Sequence, residues 1–297
     1  MPELPEVEAL RGFLAHHLIG AAAKGGAAAG VVKRVYPVAV HALKTYEPPL
    51  TAFEGRAFDG VERYGKFLAL RAGDLHLVMH LARGGWVRWS EKLPELPPRP
   101  GKGPLALRVR LTEPAGTGFD VTEAGTQKKL AVYVVRDPQA VPGVARLGPD
   151  PFDEAFTLPV FTALLDGERR QIKGVLRDQA VLAGIGNAYS DEILHAARMS
   201  PFKLAAKLDH EEVARIYAAI GTTLGEAVER SRGLPLRDLK AEKKSGLRVH
   251  GRKGEACPVC GDTIREVSFS DSALQYCPTC QTGGKPLADR RLSRLLK

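Results

Sequence analysis

All four cysteines of this 297-residue chain, Cys257, Cys260, Cys277 and Cys280, fall within one 24-residue stretch, as CPVC, sixteen intervening residues and CPTC. Each Cys-x-x-Cys turn aims two thiolates at one ion, and a hairpin between the turns brings four sulfurs into the closed tetrahedron of structural zinc. One Zn2+ is expected there, and with no open coordination position it stabilises the fold and performs no chemistry. The opening MPELPEVEALRGFLAHH lacks the basic-then-apolar order of an export signal, so the cysteines read as a metal site and not a disulfide framework. A cytoplasmic, nucleoid-associated monomer with no membrane contact is expected.

A zinc ribbon accounts for only the end of the chain. At this length two or three modules are expected, and 44% hydrophobic with 26% charged residues is an ordinary globular composition. From Val31 to Val135, runs such as FLALRAGDLHLVMHL, WVRW and LALRVRLTE are broken by Gly and Pro, as in a mostly antiparallel sheet or sandwich. Ahead of them, Val7, Leu10, Leu14 and Leu18 have helical spacing over Glu6 to Leu18, with Pro5 suited to a first turn. Leu93 to Pro104 is too rich in Pro and Gly for a central strand and reads as a loop. Residues 153–230 carry amphipathic runs instead, including DEILHAARM and EEVARIYAAIGTTLGEAVERS. The reading is an α+β multidomain chain with modules at 1–150, 151–236 and 237–297.

The formal charge of +9 favours a polyanionic partner, nucleic acid first, although a solubilising surface has the same total. Position separates the two. Between Arg237 and Lys253 there are seven Lys or Arg against two acids, and the tail adds Lys285, Arg290, Arg291, Arg294 and Lys297 against Asp289.

Two further stretches can carry chemistry. Gly184, Ile185, Gly186 and Asn187 precede an amphipathic helix, and such a turn exposes backbone N–H groups to a phosphate. Asn187 either caps that helix or contacts the same phosphate, and an ordinary turn has the same composition. At the N-terminus, removal of Met1 would leave Pro2 as a secondary amine beside Glu3 and Glu6. An α-amine with a pKa near ~8 is partly neutral and nucleophilic at neutral pH. Its attack on a sugar C1′ gives an iminium that acidifies the C2′ proton and permits elimination of phosphate. The competing reading is a capped, frayed terminus.

In order along the chain, MPELPEVE, RYGKFLAL, HLARGGWVRW, IKGVLRDQAVLAGIGNAYSDEIL and VHGRKGEACPVC together resemble the formamidopyrimidine-DNA glycosylase and endonuclease VIII family of base-excision enzymes. The resemblance implies an N-terminal β-sandwich with flanking helices, a helix–two-turn–helix domain and a C-terminal zinc ribbon acting on damaged DNA. By position it makes Pro2 the nucleophile, Glu3 the acid/base that helps to open the deoxyribose, and Glu6 a supporting carboxylate. It makes Lys66 and Asn187 phosphate contacts; Arg83, Lys128, Lys129, Arg252 and Lys253 are further candidate DNA contacts.

Three departures qualify that picture. HLAR has Arg83 where purine-specific members have Met, and TQKKLA has Gln127, Lys128 and Lys129 where they have an Arg-Arg-Phe-Gly stretch, so the apolar wedge is missing. SDSALQYC has Ser272 where the finger normally supplies Arg, and the stretch from Arg237 to Leu247 is shorter than the purine-capping loop. The expectation is a bifunctional glycosylase and abasic-site lyase favouring abasic sites or oxidised pyrimidines over 8-oxoguanine. The alternative is a damage-binding protein on the same scaffold with little or no turnover.

Overall fold

The computed structural model describes residues 1–20, 30–99, 101, 103–112, 115–269 and 272–288. The tail cations Arg290, Arg291, Arg294 and Lys297 lie outside the described residues. The chain forms two compact units, Met1–Arg146 with Ser231–Leu239, and Leu147–Arg230 with Lys240–Lys297.

The first unit begins with α1 (Leu4–Ile19), two residues earlier than the apolar spacing predicts. Pro5 sits in the first turn, where its missing N–H leaves no bond unmade, and Glu3 and Glu6 close a reciprocal capping box over the helix start. Leu4, Val7, Leu10, Leu14 and Leu18 form the buried face. The strands β1 (Val32–Pro37), β2 (Gly60–Tyr64), β3 (Phe67–Ala72), β4 (Leu75–His80), β5 (Gly85–Ser90), β6 (Leu105–Leu111), β7 (Gly118–Glu123) and β8 (Ala131–Val135) follow. They pair antiparallel in two four-stranded sheets, ordered β1-β6-β7-β5 and β2-β3-β4-β8.

One core joins both sheets and α1, which makes the module a sandwich. Leu68, Ala69 and Leu70 of β3 are all fully buried. A strand loses the usual in–out alternation when both of its faces are covered, and β3 lies against α1 as well as facing the core. Leu236 and Leu239, far along the chain, complete this core, and Trp86 Nε1 donates to the Leu236 carbonyl at 3.2 Å. A short α2 (Pro142–Ala145) ends the sandwich.

The second unit has α3 (Leu158–Leu165), α4 (Ile172–Arg177), α5 (Asn187–Ala196) and α6 (His210–Ser231), then α7 (Leu239–Gly246), which starts at the unit boundary. The hairpin β9 (Arg265–Ser268) and β10 (Ala273–Tyr276) and the short α8 (Pro278–Thr282) form the ribbon. Helices and ribbon therefore share one compact unit. No helix among the described residues is long and apolar enough to cross a membrane.

Candidate nucleic-acid site and metal centre

At the head of α1 the capping box fixes two acids. The Glu6 carboxylate accepts the Glu3 backbone N–H at 2.8 Å, and both side chains are buried, each 2% exposed. Pro2 is buried with them, whereas Met1 is 47% exposed. Arg63 then ties α1 to the β2–β3 turn: its Nε donates to Glu8 at 2.9 Å and its Nη1 to the Gly65 carbonyl at 3.3 Å. That turn carries Lys66, which is also buried.

The register of β3 against β4 sets His80 opposite Phe67, with ring centroids 4.7 Å apart, in the neighbourhood of Lys66. Burial first, and the positive charge of Lys66 second, push the His80 pKa down to about 4. It is a neutral imidazole at physiological pH. Within HLAR the sequence points to Arg83, and only cross-strand pairing brings His80 to the lysine.

Arg83 is exposed on the β4–β5 turn, behind Ala82 in the left-handed region at φ 51°. The turn is close-packed on the segment following β7: Ala124 N–H donates to the Gly84 carbonyl at 3.0 Å, and a Cβ on Gly84 would stand 2.1 Å from the Ala124 oxygen. Only glycine permits that approach. The same segment, exposed from Ala124 to Lys129, presents Gln127, Lys128 and Lys129.

Glu123 organises the segment. Its carboxylate accepts the N–H groups of Lys129 and Leu130 at 2.7 and 2.8 Å, and its carbonyl accepts Lys128 Nζ at 2.6 Å. Leu130, the larger of the two apolar residues of TQKKLA, is fully buried in the sandwich core. The structure thus sets Arg83 on a turn bonded to the Lys128–Lys129 segment, and leaves that edge polar.

In the second unit Asn187 is the first residue of α5, with Gly186 at the cap position, so Asn187 does not cap the helix. Its Nδ2 donates to the Ala273 carbonyl of β10 at 2.7 Å, which uses one of two N–H groups. Beneath it Lys173, missed by the sequence reading, donates to the Asn187 carbonyl, Ser190 Oγ and Asp191 Oδ1 at 3.1, 2.7 and 2.6 Å. Asp191 Oδ2 meets His250 Nδ1 at 2.7 Å and accepts the Gln275 N–H at 3.2 Å. Glu192 accepts the backbone N–H groups of Arg248, Val249 and His250 at 2.7–2.9 Å. Adjacent acids on α5 thus hold the basic lead-in and β10 in place.

Arg252 and Lys253 follow on that lead-in. Arg252 pairs with Glu255 at 2.7 Å and Lys253 with Glu266 at 3.2 Å, both near the surface, where such pairs contribute little. Ser272 lies beside the β9–β10 tip, its carbonyl accepting the Phe269 N–H at 2.8 Å.

The Sγ atoms of Cys257, Cys260, Cys277 and Cys280 all lie within 4.8 Å of one another, with Cys257–Cys280 at 3.9 Å and Cys260–Cys277 at 3.3 Å. A tetrahedron with Zn–S near 2.3 Å has edges of about 3.8 Å, so the set fits one zinc. Asp262 clamps the two knuckles by accepting from Thr279 Oγ1 at 2.8 Å and Thr279 N at 3.2 Å. The zinc is structural, held by four protein thiolates.

A β-sandwich followed by a helical domain and a four-cysteine ribbon, with cations on the sandwich edge and the ribbon lead-in, is the arrangement that the resemblance to the base-excision glycosylases implies. Three family domains match in that order: the formamidopyrimidine-DNA glycosylase N-terminal domain over residues 1–124, its H2TH domain over 147–235, and the zinc finger found in FPG and IleRS over 254–283. The formamidopyrimidine-DNA glycosylase of Symbiobacterium thermophilum is 34% identical over 309 residues, spanning 98% of this chain and 93% of that protein. An uncharacterized formamidopyrimidine-DNA glycosylase-like protein of Mycobacterium tuberculosis is 58% identical over 151 residues, 51% of this chain and 94% of that one. The crystal structure of the MutM (Fpg) protein from Thermus thermophilus superposes with a TM-score of 0.76 at 30% identity, covering 96% of this chain and 100% of that one. The chain belongs to the formamidopyrimidine-DNA glycosylase family.

Proposed function

We propose that this family member is a bifunctional DNA glycosylase and abasic-site lyase that uses Pro2 as its nucleophile. The observation that carries the reading is the buried capping box. Glu3 and Glu6 are fixed beside Pro2 by the helix start itself, and Met1 is exposed where it can be removed. Removal turns the Pro2 nitrogen from an amide into a secondary amine.

That nitrogen attacks C1′, and the bond from C1′ to the base breaks, with the base leaving with the electron pair of that bond and taking up the proton that the attacking amine gives up. Glu3 delivers a proton to the ring oxygen as the C1′–O bond opens, and the nitrogen lone pair completes the iminium. Loss of a C2′ proton then expels the 3′ phosphate by β-elimination. In the first unit, Lys66 and the neutral His80 supply donors for a phosphate; in the second unit, taken by itself, the other N–H of Asn187 Nδ2 is a phosphate donor of its own. A flipped nucleotide costs a few kcal/mol, which such phosphate contacts offset.

Substrate preference follows from the polar edge. Arg83, Lys128 and Lys129 reach phosphates or base edges, whereas a stacked gap is filled best by an apolar wedge, and Leu130 is committed to the core. Abasic sites and oxidised pyrimidines are favoured over 8-oxoguanine in duplex DNA. Ser272 at the ribbon tip, in place of a cation, favours the second reading, a damage-binding protein without efficient turnover.

Borohydride trapping on abasic DNA separates the two. Met1-processed protein should form a covalent adduct, and protein verified by mass to retain Met1 should form none. An adduct at full yield with Met1 retained would refute the Pro2 mechanism. Tight binding by processed protein with no adduct would favour the second reading.

A further inference from the structure

We propose that His195 belongs to the zinc centre as an outer hydrogen-bond donor, its Nε2–H bonding to the Cys257 thiolate and tying the metal to α5. His195 is 3% exposed, near the C-terminal end of α5, and its Nε2 lies 3.3 Å from Cys257 Sγ. A zinc-bound thiolate carries no proton, so the hydrogen between these atoms resides on the imidazole. That assigns the Nε2–H tautomer and leaves Nδ1 a bare acceptor. Nδ1 is the ring nitrogen that is buried without a hydrogen-bond partner.

The bond has two consequences. Donation withdraws electron density from the sulfur, which makes it less reactive toward an oxidant. Cys277 receives the analogous help from the Cys280 backbone N–H at 3.5 Å, so each of the two buried thiolates has one donor. The second consequence is mechanical. Asn187, Asp191, Glu192 and His195 are spaced so as to share one side of a helix, and each bonds to the ribbon or its lead-in. The metal thereby anchors the end of a row whose other end is Asn187 on Ala273.

The test uses the full-length, zinc-loaded protein. In competition with a zinc chelator, His195→Phe, which keeps the ring and removes the donor, should bind zinc roughly 10–100-fold more weakly. His195→Gln, which restores an N–H on a similar reach, should stay within about threefold of the parent by the same reasoning. With cobalt(II) in place of zinc, the thiolate-to-metal charge-transfer bands should move to longer wavelength in His195→Phe, because a thiolate relieved of its hydrogen bond is the better donor. Unchanged affinity in His195→Phe, or weaker retention with unmoved bands, would overturn the assignment. Should His195→Phe fail to fold, 15N NMR of the unaltered protein still decides: a protonated Nε2 supports the bond and a protonated Nδ1 refutes it.

Discussion

Asp191→Leu is the perturbation whose cost the structure lets one work out most directly. Asp191 and Lys173 form an ion pair at 2.6 Å with side chains only 1% and 7% exposed. Removing the carboxylate leaves a buried ammonium that still meets the Asn187 carbonyl and Ser190 Oγ. Breaking one side of such a pair costs about 3–5 kcal/mol, because the surviving charge stays desolvated after losing the carboxylate it pairs with. For a protein of this size each kcal/mol lowers Tm by about 3 °C, so a fall of about 9–15 °C is expected for the second unit.

The double variant Lys173→Met/Asp191→Leu removes both charges and should recover most of that loss. What remains is about 1–2 kcal/mol for the Gln275 N–H and His250, which still lack their acceptor. Calorimetry on zinc-loaded protein at neutral pH reads both numbers. A double variant as unstable as the sum of the single variants would show that the charges are not coupled, and would refute the argument.

Cys277→Ser should release zinc and weaken DNA binding while the melting of the sandwich is kept, since the metal supplies folding free energy to a ribbon with little core of its own; fully active protein found free of zinc by metal analysis would reject this. Arg83→Ala should lower turnover on the preferred lesion, and steady-state comparison of duplex 8-oxoguanine, an oxidised pyrimidine and an abasic site should rank 8-oxoguanine last; a clear preference for 8-oxoguanine would defeat the substrate argument. His80 has a folded pKa of about 4 against an unfolded value near ~6.5, so its contribution to stability is complete above pH 6.5 and declines as pH falls toward 4. The loss amounts to about 3 kcal/mol, and a His80→Asn variant should show a flatter denaturant-midpoint profile between pH 7 and 4.

Features that depend on local spacing were legible before any fold was known. The interval between the two Cys-x-x-Cys pairs is enough for a zinc ribbon, since each pair forms its knuckle within a few residues. The apolar period of α1 likewise repeats from one turn to the next, whereas the capping box of Glu3 and Glu6 became visible only in the folded helix start. The strand runs from Val31 to Val135 and the helical runs after residue 153 could be read for the same reason.

Partnerships between residues distant in sequence needed the folded chain. Leu236 and Leu239 enter a core built by residues 7–134, and nothing in their surroundings announces it. His80 becomes neutral only because the β3–β4 register and burial place it near Lys66. Asn187 left two readings open, cap or phosphate contact; the fold excludes the cap by assigning it to Gly186 and sends the amide to Ala273, 86 residues away. Nothing in the local sequence marks Lys173 or His195, yet the first lies buried against Asp191 and the second against Cys257. Burial and cross-chain contact set the charge state and the donor role of such groups, and neither is a property of local spacing.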